Sequence, residues 1–399
     1  MKLSTKLNYV TASVLMALSY QVSAADEKAG VIKTESGFDL TPGVNASLKY
    51  DDNIASTNTD QQESWILAVT PAIQAQMLDG NNTYTIEAGL EYGNYFDSTD
   101  DNYLDGLLRG AAEVEFNQSN RLNVDAAYIY GHEDRGTGIF EGIGGLQDEP
   151  NQFDMYHAGG YYEYGARTTP ARVRVNAKYL SKEYTNFEDV TQYRNYDDAI
   201  FGATFYYDTR ASTSLLLDYQ NTTTAYDVED PFGDRDSNTQ DLRLGVEWEA
   251  TATTEGSVKV GYQKKSFDNA DREDFSGIAW DAKITWTPLT YSQFDFSTGS
   301  SSKDPNAFGD YVRATTYGFK WDHDWSELIG TTLAYNRSVD DYTGIEREDI
   351  SNMYTASVNF SILRWVTLKA GVDISDNSST EQRYEYDRNV YFLTAEMTL

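Results

Sequence analysis

Apolar residues recur at every second position along most of this chain, and that spacing constrains the fold more than any other feature. Across 65–77 the odd positions from Trp65 to Met77 are all apolar, whereas the even positions include Thr70 and Gln74. Successive side chains of a β-strand point to opposite faces of the sheet, so a period of two predicts a strand with one apolar face.

About eighteen runs of this kind follow one another to the C-terminus, and their connections alternate in length. The short connections are predicted at 79–82, 117–120, 208–212, 251–253, 287–290, 322–326 and 361–364. The long, acidic ones are predicted at 51–62, 133–152, 222–238, 338–346 and 375–382. Short turns at one end and long loops at the other are typical of an outer-membrane barrel. We therefore predict an all-β protein, an up-and-down antiparallel transmembrane β-barrel with periplasmic turns and extracellular loops.

The N-terminus has the features of a secretory signal. Lys2 and Lys6 precede a short apolar run over 10–18, and Val22 and Ala24 have the small-residue spacing of a cleavage site. An exported barrel belongs in the outer membrane of a Gram-negative bacterium. The predicted divisions are a cleaved signal at 1–24, a short periplasmic segment at 25–37 and the barrel at 38–399.

Composition excludes several classes of function. The formal net charge of −32 repels nucleic acid, and the absence of cysteine excludes disulfides, thiolate metal sites and cysteine nucleophiles. Of the three histidines, His132 is followed by Glu133 and Asp134 at the mouth of a strand, and a lone histidine beside acids in a loop is usually solvated. The Asp234 segment starts like a calcium loop but lacks its glycine and its final glutamate. We predict no enzyme, no cofactor and no specific metal site.

Aromatic residues recur at both ends of the apolar runs. Amphipathic rings prefer the headgroup level, so two aromatic girdles are expected around a lipid-facing band. The girdle residues are predicted to include Tyr84, Trp248, Trp286 and Trp321 near the short turns, and Tyr92 and Tyr262 near the long loops.

The alternation places charged residues on the opposite, lumen-lining face. The predicted basic stripe consists of Arg172, Arg174, Lys178, Arg243 and Lys259. The predicted lumen-lining acids are Glu87, Glu91, Glu113, Glu115, Asp241 and Asp281. One interpretation is that these charges pair across strands to hold the wall. The other is a charged conduit whose arginines, with inward tyrosines, track an anionic or hydroxyl-rich polymer.

The last run keeps its apolar alternation up to the carboxyl end, which resembles the signal read by the barrel-assembly machinery. The residues predicted to form this signal are Tyr391, Leu393, Met397 and Leu399. Such signals usually end in phenylalanine, and Leu399 departs from that pattern.

Two short motifs carry a family resemblance. The first run ends in Tyr-Asp-Asp-Asn-Ile at 50–54, and an aromatic–turn–threonine pattern stands at 286–290. They resemble the family described as "putative β-barrel porin 2". The resemblance implies an outer-membrane barrel linked to exopolysaccharide or capsule export, acting beside a polysaccharide-export lipoprotein and a polysaccharide chain. Outer-membrane lipid, lipopolysaccharide and the barrel-assembly machinery are the other expected partners.

We therefore expect a pore that assists export of exopolysaccharide or capsular polysaccharide across the outer membrane. The alternatives are a general or sugar-uptake porin, and a structural or adhesive barrel without an open pore. The longest loop, 133–152, carries five glycines and is long enough to fold inward and constrict the lumen. Whether this loop folds into the lumen therefore distinguishes an open pore from a blocked one.

Overall fold

The computed structural model describes residues 30–209, 212–251 and 253–398, so the predicted signal at 1–24 and Leu399 lie outside the described residues. The strands are β1 (Ile32–Lys33), β2 (Asp39–Asp51), β3 (Ser64–Asp79), β4 (Asn82–Tyr95), β5 (Tyr103–Asn117), β6 (Asn120–Glu133), β7 (Asn151–Tyr164), β8 (Ala171–Tyr184), β9 (Tyr196–Asp208), β10 (Thr213–Tyr226), β11 (Ser237–Thr251), β12 (Thr254–Phe267), β13 (Phe275–Leu289), β14 (Ser292–Lys303), β15 (Val312–Asp324), β16 (Ile329–Tyr342), β17 (Glu348–Leu363), β18 (Val366–Ser379) and β19 (Tyr386–Thr398).

Helical structure within the described ranges is confined to single turns. They are the α-helix α1 (Glu188–Thr191) and the 3₁₀ turns Thr99–Asp101, Gly138–Phe140, Gly144–Leu146, Gln192–Arg194 and Gln382–Tyr384. None of these helices is long and apolar enough to span a membrane.

The strands close into a barrel. Each strand from β2 to β19 pairs antiparallel with its neighbours in sequence, and β19 pairs with β2 from Val390–Asp51 to Thr398–Gly43. Eighteen strands thus form the wall, and β1 adds a two-residue pairing to the start of β2. The predicted up-and-down antiparallel barrel is confirmed.

The connections alternate as predicted. Two-residue turns such as 80–81 and 118–119 join strands at one end, where Gly80 adopts φ +60°. The loops at the other end are 52–63, 96–102, 134–150, 185–195, 227–236, 268–274, 304–311, 343–347 and 380–385. Of these, 96–102, 185–195, 268–274 and 304–311 were not predicted from the sequence. Three of the four are short polar stretches flanked by polar strand ends, and 185–195 contains the helical turns Glu188–Thr191 and Gln192–Arg194.

The two faces of the wall differ as the alternation requires. Outward residues such as Leu108 and Leu244 are 54% and 64% exposed, whereas inward Glu91 and Asp241 are 7% and 8% exposed. A 14-residue strand tilted by about 40° rises about 35 Å, more than the apolar band of about 25 Å. The strand ends therefore project beyond the lipid.

Buried apolar residues lie inside the barrel, near the long-loop end. They form two clusters, Ile129, Phe153 and Met155 in one and Ile54, Ile66 and Tyr95 in the other. Five of these residues occupy inward strand positions that would otherwise face the lumen, and Ile54, in the loop 52–63, packs in the second cluster.

Candidate functional site: the lumen and its lid

Three arginines converge at the short-turn end of the lumen. Glu163 of β7 accepts hydrogen bonds from Arg121 of β6 (2.6 Å) and Arg174 of β8 (2.7 Å), and it pairs with Arg172 of β8 at 3.3 Å. Arg172 also binds Asp208 at the end of β9 (Nε–Oδ2 2.8 Å). We call these five residues the arginine cluster. Its three positive charges exceed its two carboxylates by one.

Two inward tyrosines extend the arginine cluster. The Arg174 guanidinium lies 4.2 Å from the ring centroid of Tyr161 and 5.3 Å from that of Tyr206, and Arg172 lies 4.7 Å from Tyr206. Such cation–π contacts hold a guanidinium in place without neutralising it. The neighbouring Tyr162 and Tyr207 point outward and are exposed, as alternation requires. The cluster is therefore a fixed combination of aromatic faces and charge at one entrance of the lumen.

The remaining predicted basic residues lie higher in the lumen. Arg243 binds Asp241 on its own strand (2.5 Å), and Lys259 binds Asp218 of β10 (2.9 Å). Lys178 lies four residues after Arg174 on β8, also in an inward position, and is half-buried. The stripe thus consists largely of ion-paired groups. These ion pairs fit the wall-support interpretation, and the charged conduit stays a prediction.

The predicted lumen-lining acids also occupy inward positions. Glu87 accepts hydrogen bonds from Gln74 (2.8 Å) and Arg109 (3.4 Å), and Glu91 accepts one from Tyr103 (2.6 Å). The others are Glu113 and Glu115 near the short-turn end of β5, Asp241 beside Arg243, and Asp281 in register with Lys259.

The predicted girdle residues all lie on the outward face. On the short-turn side Trp286 stacks on Phe294 at 5.1 Å, and Phe294 stacks on Trp321 at 6.0 Å. Tyr92 and Tyr262 are about half-exposed near the long-loop ends of their strands, and Tyr84 and Trp248 are half-buried near short turns. Of the predicted assembly signal, Tyr391 and Leu393 are exposed on the outward face of β19, and Met397 follows at the same parity.

The longest loop, 134–150, crosses the mouth of the barrel. Strands β6 and β16 are ten steps apart in a ring of eighteen, so they stand on nearly opposite walls. Glu141 from the middle of this loop nevertheless binds Arg347, in the loop before β17, at 2.6 Å. It also accepts a hydrogen bond from Asn306 of the β14–β15 loop at 3.0 Å. We call these three residues the latch.

The near side of the same loop is fastened by a buried arginine and a glycine. Arg135 donates to Asp101 at 2.6 and 2.7 Å and to Gln62 at 2.7 Å, which joins three loops. Gly136 adopts φ +74°, and a Cβ there would lie 2.1 Å from the carbonyl oxygen of Ala55. Only glycine accepts both this conformation and this contact without displacement.

The first residue of the loop is held by a charged network. His132 lies 2.9 Å from Asp105 and 3.3 Å from Asp134, and Arg388 reaches both Asp134 (3.3 Å) and Asp51. Burial would raise the pKa of Asp134, but its bond to His132 and the charge of Arg388 outweigh burial and lower it. We call the long loops at this end of the barrel, as bounded above, the lid. His132 holds the start of its longest loop, 134–150, and this structural position accounts for the acidic residues beside it in sequence.

Arg347 occupies an aromatic slot on the far side. Its guanidinium lies 3.3 Å from the ring centroid of Tyr384 and 4.2 Å from that of Tyr342, and it also binds Asp349. Burial would lower the pKa of Arg347, but the hydrogen bonds to Asp349 and Glu141 outweigh it and raise it. The Arg347 cation is thus a fixed hydrogen-bond donor to the Glu141 carboxylate that crosses the mouth.

Sequence reasoning missed Glu163 and Glu141. Glu163 stands two positions after inward Tyr161, so parity alone would have placed it in the lumen. Glu141 lies in a loop, where no periodicity applies, and nothing local identifies Arg347 as its partner 206 positions away.

A closed β-barrel with an apolar, aromatic-rimmed outer face and a charged interior defines an outer-membrane barrel of the porin type. The family model described as "Putative beta-barrel porin 2" matches residues 34–399, and the chain belongs to that family. Curated proteins include none that matches the sequence.

Solved structures resemble the chain in architecture. OpdL of Pseudomonas aeruginosa is 12% identical, with 91% of this chain and 99% of that chain covered and a TM-score of 0.47. A BenF-like porin of Pseudomonas fluorescens Pf-5 is 9% identical, with 90% and 99% covered and a TM-score of 0.49. The FrpB iron transporter of Neisseria meningitidis is 11% identical, with 85% and 62% covered and a TM-score of 0.48. At these identities the likenesses say nothing about the solute.

Proposed function

We propose that this outer-membrane porin-type barrel passes a secreted polysaccharide outward, and that the loop lid opens and closes its outer mouth. Family membership supports a porin; the polymer and the direction are our proposal. General sugar uptake is the competing function, and it predicts an exterior mouth that stays open.

One observation carries the proposal, namely the arginine cluster with Tyr161 and Tyr206 at the short-turn entrance. A polymer that leaves the periplasm meets this end first. Aromatic faces pack on sugar rings, and fixed guanidinium groups donate to hydroxyl and carboxylate oxygens. Because the ion pairs hold these groups rigidly, little ordering is needed when a chain slides past them.

The lid supports an outward pore over a general one. A general porin gains from a permanently open mouth, whereas a barrel that releases polymer intermittently must limit leakage at other times. The latch joins opposite walls through a small number of polar contacts, and those contacts can be replaced by water when the lid opens. The same lid would also suit a structural barrel that is permanently sealed. Measurable conductance in planar bilayers would distinguish a gated export pore from such a sealed barrel.

Delivery and partners complete the proposal. We infer that residues 1–24 are removed as a signal during export to the outer membrane of a Gram-negative cell. We propose that Tyr391, Leu393, Met397 and Leu399 are read by the barrel-assembly machinery, and that lipopolysaccharide surrounds the girdles. A polysaccharide-export lipoprotein is the proposed partner at the periplasmic end. N-terminal sequencing of the mature protein tests the cleavage site.

Deletion of the gene with complementation tests the function. Loss of surface polysaccharide with intact uptake of small sugars supports export, and complementation by Arg174→Gln should restore less polymer than wild type. Lys264→Gln, which removes an exposed outward lysine of β12, is the matched control. Normal surface polysaccharide in the deletion strain would refute the export function.

A further inference from the structure

A second group of buried arginines lies in the lid, beside the latch, because Arg194 donates to the backbone oxygen of Asn306 at 2.8 Å. Arg194, Arg235 and Arg272 come from three successive long loops, between β8 and β13, and their side chains are 11%, 2% and 4% exposed. Arginine is seldom buried to this degree without compensation. The group therefore requires an account of its charge.

The available carboxylates do not neutralise it. Asp230 accepts from Arg194 (2.6 Å) and Arg235 (2.9 Å), and Asp310 accepts from Arg272 (3.3 Å). The other acceptors are backbone carbonyls, which carry no net charge; Arg194 and Arg235 both donate to the oxygen of residue 307, at 2.6 and 3.0 Å. Three guanidinium groups thus share two carboxylates, which leaves one positive charge over.

Arg235 also retains an unused donor. Its Nη1 is buried and has no hydrogen-bond partner within residues 30–209, 212–251 and 253–398. Buried donors are almost always paired in native proteins, so an unpaired guanidinium nitrogen indicates a missing acceptor. Burial, and then the charge of Arg235, lower the pKa values of Arg194 and Arg272. The excess of positive charge is therefore felt by both neighbours.

Nearby acids are directed elsewhere. On the same loop as Arg235, the Asp234 carboxylate accepts the backbone N–H of Asp236 at 3.0 Å, and that of Asp236 accepts the backbone N–H of Tyr226 at 2.7 Å. Burial, followed by the charges of Asp234 and Asp268, raises the pKa of Asp236. These carboxylates repel one another and are committed to backbone groups, so they do not supply the acceptor for Nη1.

We propose that Arg235, flanked by Arg194 and Arg272, binds an oxyanion, either a carboxylate or a phosphate group carried by a cell-surface saccharide. The planar guanidinium offers parallel N–H donors that match both groups. The ligand would tie three loops of the lid together. This inference does not depend on polysaccharide export, because binding is measured on the isolated barrel.

Titration calorimetry on the full mature barrel in detergent tests it, with sodium phosphate and sodium glucuronate as separate probes at constant ionic strength. Wild type should show saturable binding of at least one probe, and Arg235→Gln should weaken it by about tenfold or more, because a charged hydrogen bond is lost. Arg383→Gln removes a lid arginine whose side chain is 48% exposed, and it should bind as wild type does.

The two probes separate the sources of the ligand. Binding of phosphate alone indicates a phosphorylated lipid headgroup, and binding of glucuronate alone indicates an acidic polymer. Absence of saturable binding to wild type overturns the proposal, as does binding that Arg235→Gln leaves unchanged, which would reveal an adventitious ion only. If Arg235→Gln fails to fold, Arg235→Lys serves instead. It keeps the positive charge but lacks the parallel N–H donors of a guanidinium, so it should still bind the probe more weakly than wild type.

Discussion

Removal of the latch carboxylate should open the outer mouth. In Glu141→Ala the loop 134–150 loses its bonds to Arg347 and Asn306 on the opposite wall, while Arg135 and Gly136 still fasten its near side. The barrel wall contains none of these contacts. We therefore expect a folded barrel in which the loop 134–150 is detached at its far end.

The size of the effect follows from burial. Arg347 and Glu141 have side chains 2% and 13% exposed, and breaking a buried ion pair costs about 3–5 kcal/mol when it leaves a charge alone. Here Arg347 keeps Asp349, so a charged hydrogen bond of about 1.5–3 kcal/mol is the better measure. The equilibrium between closed and open lids should then shift by about 10- to 150-fold.

Single-channel recording in planar bilayers measures that shift as open probability. Asp148→Ala removes an exposed carboxylate from the same loop and should behave as wild type. Because the chain contains no cysteine, Glu141→Cys with Asn306→Cys can be joined by a short bismaleimide, which should lock the pore shut. Equal open probability in Glu141→Ala, Asp148→Ala and wild type would refute the latch.

Three further predictions concern the lumen, the lipid-facing surface and the lid. Arg174→Gln should shift ion selectivity toward cations, since it removes a lumenal charge beside Glu163; unchanged reversal potentials would assign the residue to wall support alone. Leu244→Lys places a charge on the lipid face and should destabilise the barrel by about 2–4 kcal/mol in urea titrations, less if the site lies near the interface. Burial would raise the pKa of Asp230, but bonds from Phe232 N–H and from Arg235 lower it, so its folded-state value lies below the usual 3.8. The ionised Asp230 should therefore stabilise the lid fully at pH values above 3.8, and this stabilisation should be lost as the pH falls through the lower, folded-state pKa. Hydrogen exchange of the loop amides, measured at pH 6 and pH 3, should be faster at pH 3.

The sequence by itself determined the wall of this protein. A period of two is a property of the extended backbone, so the two faces of each strand can be predicted from that strand's own sequence. Trp65 to Met77 therefore sufficed to predict the outward face of β3, and the parity of Arg172 and Arg174 sufficed to place them inward. The alternation of short and long connections then indicated an up-and-down barrel, because consecutive strands pair with their neighbours.

Only the tertiary structure decided what the charged groups do. Parity places Arg174 in the lumen but cannot say that Glu163 neutralises it, since that depends on the register between β7 and β8. Closure of the ring brings Glu141 to Arg347 across 206 positions, and it gathers Arg194, Arg235 and Arg272 from three loops. Such contacts depend on where the walls stand in space, and loops have no period that records it.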